Sequence, residues 1–215
     1  MDLGKIRAVV FDFDGVVVNS EPFYENAISE VFQENHISIP QQDWCDFKGM
    51  ADKEFFPLMI SRYGFKGDIQ KLEKDIYDRM KQKLVALDYI PGFKDFFDHI
   101  RKQYAFGLVT STSRNHINWL TENTRIKDLF PLKVTATDVV HTKPHPEPYT
   151  RMARLLQLQP EKIIVIEDSI NGLKAAQEAG MTTIALLTTF SRNEIQFADH
   201  IAGNYRQLME MFGFH

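Results

Sequence analysis

Short apolar runs that stop on polar clusters constrain this chain more than any other feature. Ile6 to Phe11 (IRAVVF) stops on Asp12, Phe106 to Val109 (FGLV) on Thr110-Ser111-Thr112-Ser113, and Ile163 to Ile166 (IIVI) on Glu167-Asp168-Ser169. Met181 to Thr188 (MTTIALLT) is a further run of the same kind. Apolar on both faces, these read as buried strands of a parallel sheet rather than half-exposed ones. Helical patterns precede the later runs. Phe93, Phe96, Phe97 and Ile100 form one stripe, and Tyr149, Met152, Ala153, Leu155 and Leu156 another. Leu173, Ala175, Ala176 and Ala179 belong to a helix that stops at Gly180, a left-handed cap. Strand alternating with helix predicts βαβ units and an α/β architecture with a doubly wound, Rossmann-like parallel sheet.

Between Asp14 and Pro91 that alternation lapses and only helical patterns remain. Ser20-Glu21-Pro22 opens a helix with Phe23, Ala27, Ile28, Val31 and Phe32 on one face. Ile69, Leu72, Ile76, Met80, Leu84 and Leu87 hold a 3–4 spacing, with Lys71, Glu73, Lys74, Asp78 and Lys81 turned outward. The chain returns at Tyr89-Ile90-Pro91-Gly92. Residues 16–89 therefore read as an inserted all-α cap domain, and residues 1–15 with 90–215 as the α/β core. The insertion leaves from the carboxyl end of the first strand, where open α/β sheets bind their ligands.

Composition excludes several classes. Hydrophobic residues make up 44% and charged residues 25%, as in a globular chain rather than a disordered one. A net charge of −4 argues against a broad nucleic-acid-binding surface. No apolar run approaches a membrane span, and the amino terminus lacks the apolar stretch of a signal peptide. The lone Cys45 allows no internal disulfide. A cytoplasmic, monomeric protein with no nucleic-acid or membrane partner is the expectation.

The polar clusters carry the chemistry. Asp12 and Asp14, two residues apart on leaving a strand, can point to one side with Phe13 opposite. A third acid from Glu167-Asp168 completes an all-oxygen pocket of the kind a hard, octahedral Mg²⁺ requires. Hydroxyls and amides at Thr110-Ser111-Thr112 and the amine of Lys143 suit the charged oxygens of a phosphoryl group. The residues thus point to metal-assisted phosphoryl transfer through a carboxylate nucleophile. The histidines show no zinc spacing, and neither G-x-x-x-x-G-K-[ST] nor G-x-G-x-x-G occurs.

FDFDGVVVNSE, LVTSTS, TKPHPEPY and IEDSINGLKAAQEAG together resemble, in order and spacing, the motifs of the haloacid dehalogenase superfamily. The similarity is to its phosphatase and β-phosphoglucomutase-like branch with a helical cap, and it covers nearly the whole chain. The resemblance implies Asp12 as nucleophile and Asp14 as general acid/base. It implies Ser111, with the Thr112 amide and Lys143, as the phosphoryl-binding groups, Thr110 competing with Ser111 for the register. Asp12, the Asp14 carbonyl and Asp168 are the implied Mg²⁺ ligands, with Glu167 a further ligand or a support behind them. Glu21, Tyr24, Lys48, Gly49, Arg114 and Asn115 are candidate substrate contacts, and His116 is raised beside them.

Asp14 favours phosphoryl chemistry over dehalogenation. Mutases of the branch carry a His where this chain has Tyr24 and an Arg in the cap where it has Asp52. Hydrolysis of a small phosphorylated metabolite, a sugar phosphate or related monoester, is therefore expected. The alternatives are a mutase and a non-catalytic regulator that binds a phosphometabolite.

Overall fold

The computed structural model describes residues 3–40, 43–44 and 52–214, so Cys45, Lys48 and Gly49 lie outside the described residues. Six strands form one parallel sheet: β1 (Ala8–Phe11), β2 (Ala105–Val109), β3 (Lys133–Val134), β4 (Ile163–Glu167), β5 (Thr182–Leu186) and β6 (His200–Ala202). Their order is β3-β2-β1-β4-β5-β6. β1 and β4 are buried along their whole length, as runs apolar on both faces require. The chain first builds outward from β1 through β2 to β3, then returns to the other side of β1 and builds through β4 to β6. The topological switch point, where such sheets form a ligand crevice, therefore lies between β1 and β4.

The edge strands β3 and β6 are not among the apolar runs of the sequence. Lys133–Val134 is two residues long, and His200–Ala202 is only partly buried, so neither leaves a continuous apolar signature.

The helices are α1 (Glu21–Glu34), α2 (Asp52–Tyr63), α3 (Ile69–Leu84), α4 (Phe93–Ile100), α5 (Arg114–Asn123), α6 (Glu147–Leu156), α7 (Ile170–Glu178) and α8 (Tyr205–Met211). No described helix is long and apolar enough to cross a membrane. Phe11 anchors one sheet face. Its ring meets Phe93, Phe96 and Phe97 of α4 edge-on at 6.0, 6.2 and 6.1 Å, and Phe130 at 5.7 Å. On the opposite face Ala8 and Val10 pack with Tyr149 and Met152 of α6 and Ala175 and Ala176 of α7. Gly107 lets α6 approach β2, because a Cβ there would lie 2.6 Å from the Met152 sulfur. Phe11→Ala is expected to lower stability by about 3–5 kcal/mol, read as a shift of the urea midpoint with little change in slope.

Between β1 and α4 lie α1, α2 and α3. Ala27 and Val31 of α1 and Leu72, Ile76, Met80 and Leu84 of α3 are buried in one cluster. Ile69, the first residue of α3, departs from the stripe and is 43% exposed. The side chain of Asp68 caps that helix, accepting from the amides of Gln70 and Lys71. Where the chain leaves β1 and returns to α4 the two segments run side by side. Val18 bridges antiparallel to Tyr89, and the Ile90 amide donates to the Val17 carbonyl at 2.9 Å. The helical segment thus departs and rejoins at one place, beside the carboxyl end of β1.

Candidate active site

Register brings the strand ends together. Phe11 stands opposite Leu108 of β2 and Ile166 of β4, and the Asp12 amide continues the ladder to the Ile166 carbonyl at 3.0 Å. Whatever follows Phe11, Val109 and Ile166 must therefore meet over the same edge of the sheet. Asp12 is buried there, while Phe13 turns into the apolar core. Asp14 accepts hydrogen bonds on both carboxylate oxygens, from the Ser20 hydroxyl and from Thr112 Oγ1 at 2.7 Å.

Lys143 is 3% exposed, and its ammonium uses all three of its donor bonds. It reaches Asp12 Oδ1 at 2.5 Å, Glu167 Oε1 at 2.7 Å and the Val109 carbonyl at 3.1 Å. Burial works to lower the Lys143 pKa, but the neighbouring charges of Asp12 and Glu167 outweigh it and hold the ammonium well above the ordinary lysine value. Burial, with the charges of Glu167 and Asp14, pushes Asp12 well above the carboxylate range, against the pull of Lys143. Burial, with Glu167 and Asp12, does the same to Asp168.

Glu167 organises the site from beneath. Its Oε1 also accepts from the Tyr149 hydroxyl at 3.1 Å. Its Oε2 takes the amides of Asp168 and Ser169 at 2.9 and 2.8 Å and the Ser169 hydroxyl at 3.0 Å. Gly172 is required above it, since a Cβ there would fall 1.5 Å from Oε1. Ser169 also caps α7, accepting from the Gly172 amide at 3.0 Å.

Oxygens of Asp12, Glu167 and Asp168 lie within 4.8 Å of one another. Several buried carboxylates facing one ammonium leave uncompensated negative charge, and an all-oxygen donor set suits a hard divalent cation. These residues fit such an ion. Because both Glu167 oxygens are already bonded, Asp12 and Asp168 have the freer capacity to hold it.

The structure brings most of the expected residues together in one crevice and places others elsewhere. Ser111 and Thr112 line the cavity above Asp12, whereas the Thr110 hydroxyl accepts from the Thr112 amide at 3.0 Å. Thr112 also holds Asp14 through its hydroxyl, a contact beyond the amide role that the resemblance implies for it. Glu21 and Tyr24 line the cavity. Arg114 and Asn115 do not. The Arg114 guanidinium turns to Asp138 at 2.6 Å and to the Lys133 carbonyl, and Asn115 faces solvent. His116 takes the cavity position, with the Tyr24 hydroxyl 3.0 Å from its Nε2.

Ser20, Tyr149, Thr188 and Thr189 are additions that sequence reasoning missed. The Thr189 hydroxyl donates to Asp168 Oδ2 and that of Thr188 to the Gly15 carbonyl at 2.6 Å. Both follow β5, so the rule that found the other clusters, polar residues ending an apolar run, applied to them too. Gly15 has φ +75°, and a Cβ there would lie 1.9 Å from Asp168 Oδ2. Gly15→Ala is expected to displace Asp168, to lower activity more than tenfold, and to cost about 1–3 kcal/mol in backbone strain; wild-type kinetics with an unchanged melting temperature would contradict this.

The cavity lies between the strand ends and helices α1–α3, with Asp12, Asp14 and Lys143 on one side and Ile28, Phe56 and Tyr77 among the residues on the other. The family model of the haloacid dehalogenase-like hydrolases matches residues 9–186. The phosphorylated carbohydrates phosphatase of Thermotoga maritima is 26% identical over 181 residues, 83% of this chain and 84% of that protein. The pyrophosphatase PpaX of Bacillus thuringiensis is 27% identical over 197 residues, 86% of this chain and 85% of that one. Among solved structures, a β-phosphoglucomutase from Clostridium difficile superimposes with a TM-score of 0.82 at 22% identity, over 97% of this chain and 96% of its own, a likeness of fold. With the family matched across most of its length and its strand ends carrying the acidic cluster, the chain belongs to the haloacid dehalogenase-like hydrolases.

Proposed function

We propose that the protein is a Mg²⁺-dependent phosphatase that hydrolyses small phosphomonoesters, of about the size of a sugar phosphate, through an aspartyl-phosphate on Asp12. The observation that carries this reading is the pairing of two differently held acids in one crevice. Asp12 is buried against Lys143, and Asp14, two residues on, is fixed by Ser20 and Thr112. One carboxylate is placed to attack and the other to handle protons.

In the first half-reaction a carboxylate oxygen of Asp12 bonds to phosphorus, the ester P–O bond breaks, and Asp14 gives its proton to the leaving alkoxide. In the second, Asp14 takes a proton from water, whose oxygen attacks phosphorus and releases phosphate, restoring Asp12. Lys143 and Ser111 stabilise the phosphoryl oxygens, and Glu167 holds Lys143 in place. Asp12, Asp168 and the Asp14 carbonyl would hold Mg²⁺, which supplies positive charge against the carboxylates and the phosphoryl dianion. Residues 16–89 are the cap that shields the site from water.

A mutase reading shares these steps until phosphate returns to a sugar. Tyr24 disfavours it, because the residue standing where mutases of the branch have His is a phenol bonded to His116. The name of the Thermotoga relative speaks of phosphorylated carbohydrates, and so supports esters of this size.

The test is phosphate release from a panel of phosphomonoesters with Mg²⁺ and with EDTA, alongside melting curves. Release that depends on Mg²⁺ is expected. So is stabilisation by the ion, about 2.7 kcal/mol at a hundred times its dissociation constant. Release unaffected by EDTA, or no release from any ester, would overturn the reading.

A further inference from the structure

The three acids of the buried cluster are held in different ways. Glu167 has both carboxylate oxygens bonded, and Asp12 has Oδ1 against the Lys143 ammonium. Neither can chelate an ion through both oxygens without giving up one of those bonds. Asp168 is restrained by less. Among the described residues its side chain accepts one hydrogen bond, at Oδ2 from the Thr189 hydroxyl. The torsion that turns a carboxylate is soft and roughly two-fold, so this bond and the crowding around it decide which oxygen faces the cavity. The crowding comes from Gly15, where an added Cβ would lie 1.9 Å from Asp168 Oδ2 and 2.9 Å from Thr189 Oγ1. Thr188 fastens the segment, its hydroxyl donating to the Gly15 carbonyl at 2.6 Å. Oδ2 therefore sits between Gly15 and Thr189. No buried side-chain oxygen among the described residues lacks a partner, so Oδ1 opens to the cavity that Asp168 and Thr189 both line.

Resting on the metal-dependent reading above, we infer that Thr189 is a positioning residue: it makes Asp168 a one-oxygen ligand and so favours Mg²⁺ over Ca²⁺. Mg²⁺ demands a near-regular octahedron and keeps several of its waters, which leaves little room for a carboxylate that chelates through both oxygens. Ca²⁺ is larger, accepts about six to eight oxygens in a flexible arrangement, and takes carboxylates through one oxygen or both. A group that orients a metal ligand from behind carries about ten- to a hundredfold in affinity. Without the Thr189 hydroxyl, Oδ2 loses its donor and the Asp168 carboxylate can turn to offer both oxygens. Mg²⁺ then loses a fixed ligand, whereas Ca²⁺ gains an oxygen that offsets the loss of order.

The experiment follows the melting temperature of the full chain against MgCl₂ and CaCl₂ concentration, without substrate, and takes a dissociation constant for each ion. Wild type, Thr189→Val and Thr189→Ser are compared. Valine keeps the shape of threonine and removes the donor; serine keeps the donor and removes the methyl group. Wild type is expected to bind Mg²⁺ more tightly than Ca²⁺. Thr189→Val is expected to weaken Mg²⁺ at least about tenfold and Ca²⁺ by less than about threefold, moving the ratio of the two constants toward Ca²⁺. Thr189→Ser is expected to retain the wild-type ratio. A ratio unmoved in Thr189→Val, equal weakening of both ions, or a shift in Thr189→Ser as large as that in valine would overturn the inference. If Thr189→Val melts too low in EDTA to be titrated, Thr189→Ala takes its place beside Thr189→Ser. Because binding is read without turnover, the two readings fail separately. A chain that binds Mg²⁺ with the expected ratios but releases no phosphate loses only the phosphatase reading, and a wild type stabilised by neither ion refutes the metal site and this inference with it.

Discussion

Asp12→Asn is expected to remove all but about 1% of phosphate release while leaving the protein at least as stable as before in EDTA. The first half follows from chemistry, since an amide oxygen does not form the acyl-phosphate. The second half follows from the site. Burial and the charges of Glu167 and Asp14 raise the Asp12 pKa well above the carboxylate range, so without a metal the folded protein disfavours that charge. Asparagine keeps the shape, and its side-chain oxygen still accepts from Lys143, whose other bonds to Glu167 and Val109 remain. Removing one of several crowded carboxylates relieves repulsion, and each kcal/mol recovered raises the melting temperature by roughly 2–4 °C in a chain of this length. The same substitution is expected to shrink the stabilisation by Mg²⁺, because one ligand is lost. Loss of turnover, gain of stability in EDTA and loss of the metal response together separate a functional defect from misfolding. Residual activity well above 1%, or a fall in melting temperature without metal, would count against the role of Asp12.

How much of this was legible in sequence depended on the distance from a buried strand. Asp12, Asp14 and Asp168 are legible because an apolar run fixes where a strand ends, and a parallel sheet gathers those ends over one edge; Lys143 ends no such run, and only the resemblance carried by TKPHPEPY singles it out. The central strands β1 and β4 were legible for the same reason. β3 and β6 were not, because a two- or three-residue edge strand covered on few sides leaves no continuous apolar run. Helix faces near a site were also hard to assign. Arg114 and His116 differ by about 200° around α5, so the charge that would suit a substrate turns to Asp138 while His116 lines the cavity, a choice that residue type alone does not reveal. Ser20 reads as a helix cap, yet its side chain makes no bond to the helix and goes to Asp14 instead. Hydroxyls such as Ser20, Thr112 and Thr189 have several partners within reach, and only the tertiary arrangement chooses among them.

Lys143→Met is expected to be the most damaging single change to the site, lowering turnover by at least about 10²–10³ and stability in EDTA by about 3–5 kcal/mol. Methionine retains the length of the stem but leaves Asp12 and Glu167 buried with no ammonium between them. The stability loss carries a pH signature whose sign follows from the shifts. Asp12 in the folded protein already has a raised pKa, and Lys143 is what restrains it. Without the lysine it rises further, while the unfolded value stays near the ordinary ~3.9. A carboxyl that binds its proton more tightly when folded loses stability as pH climbs from the unfolded value through the folded one. The loss of Lys143 itself costs the same across this range, because its raised pKa makes it a fully stabilising group at every pH below the usual lysine value, so the slope comes from Asp12. The deficit of the variant relative to wild type, measured by urea unfolding in EDTA, should therefore be smaller at pH 5 than at pH 8. Mg²⁺ should recover part of it at pH 8, since a divalent cation replaces some of the missing positive charge, but should restore little turnover, because the phosphoryl group still lacks its ammonium. A deficit independent of pH would mean that the lysine supports the fold by packing alone, and recovery of activity by Mg²⁺ would remove it from phosphoryl stabilisation.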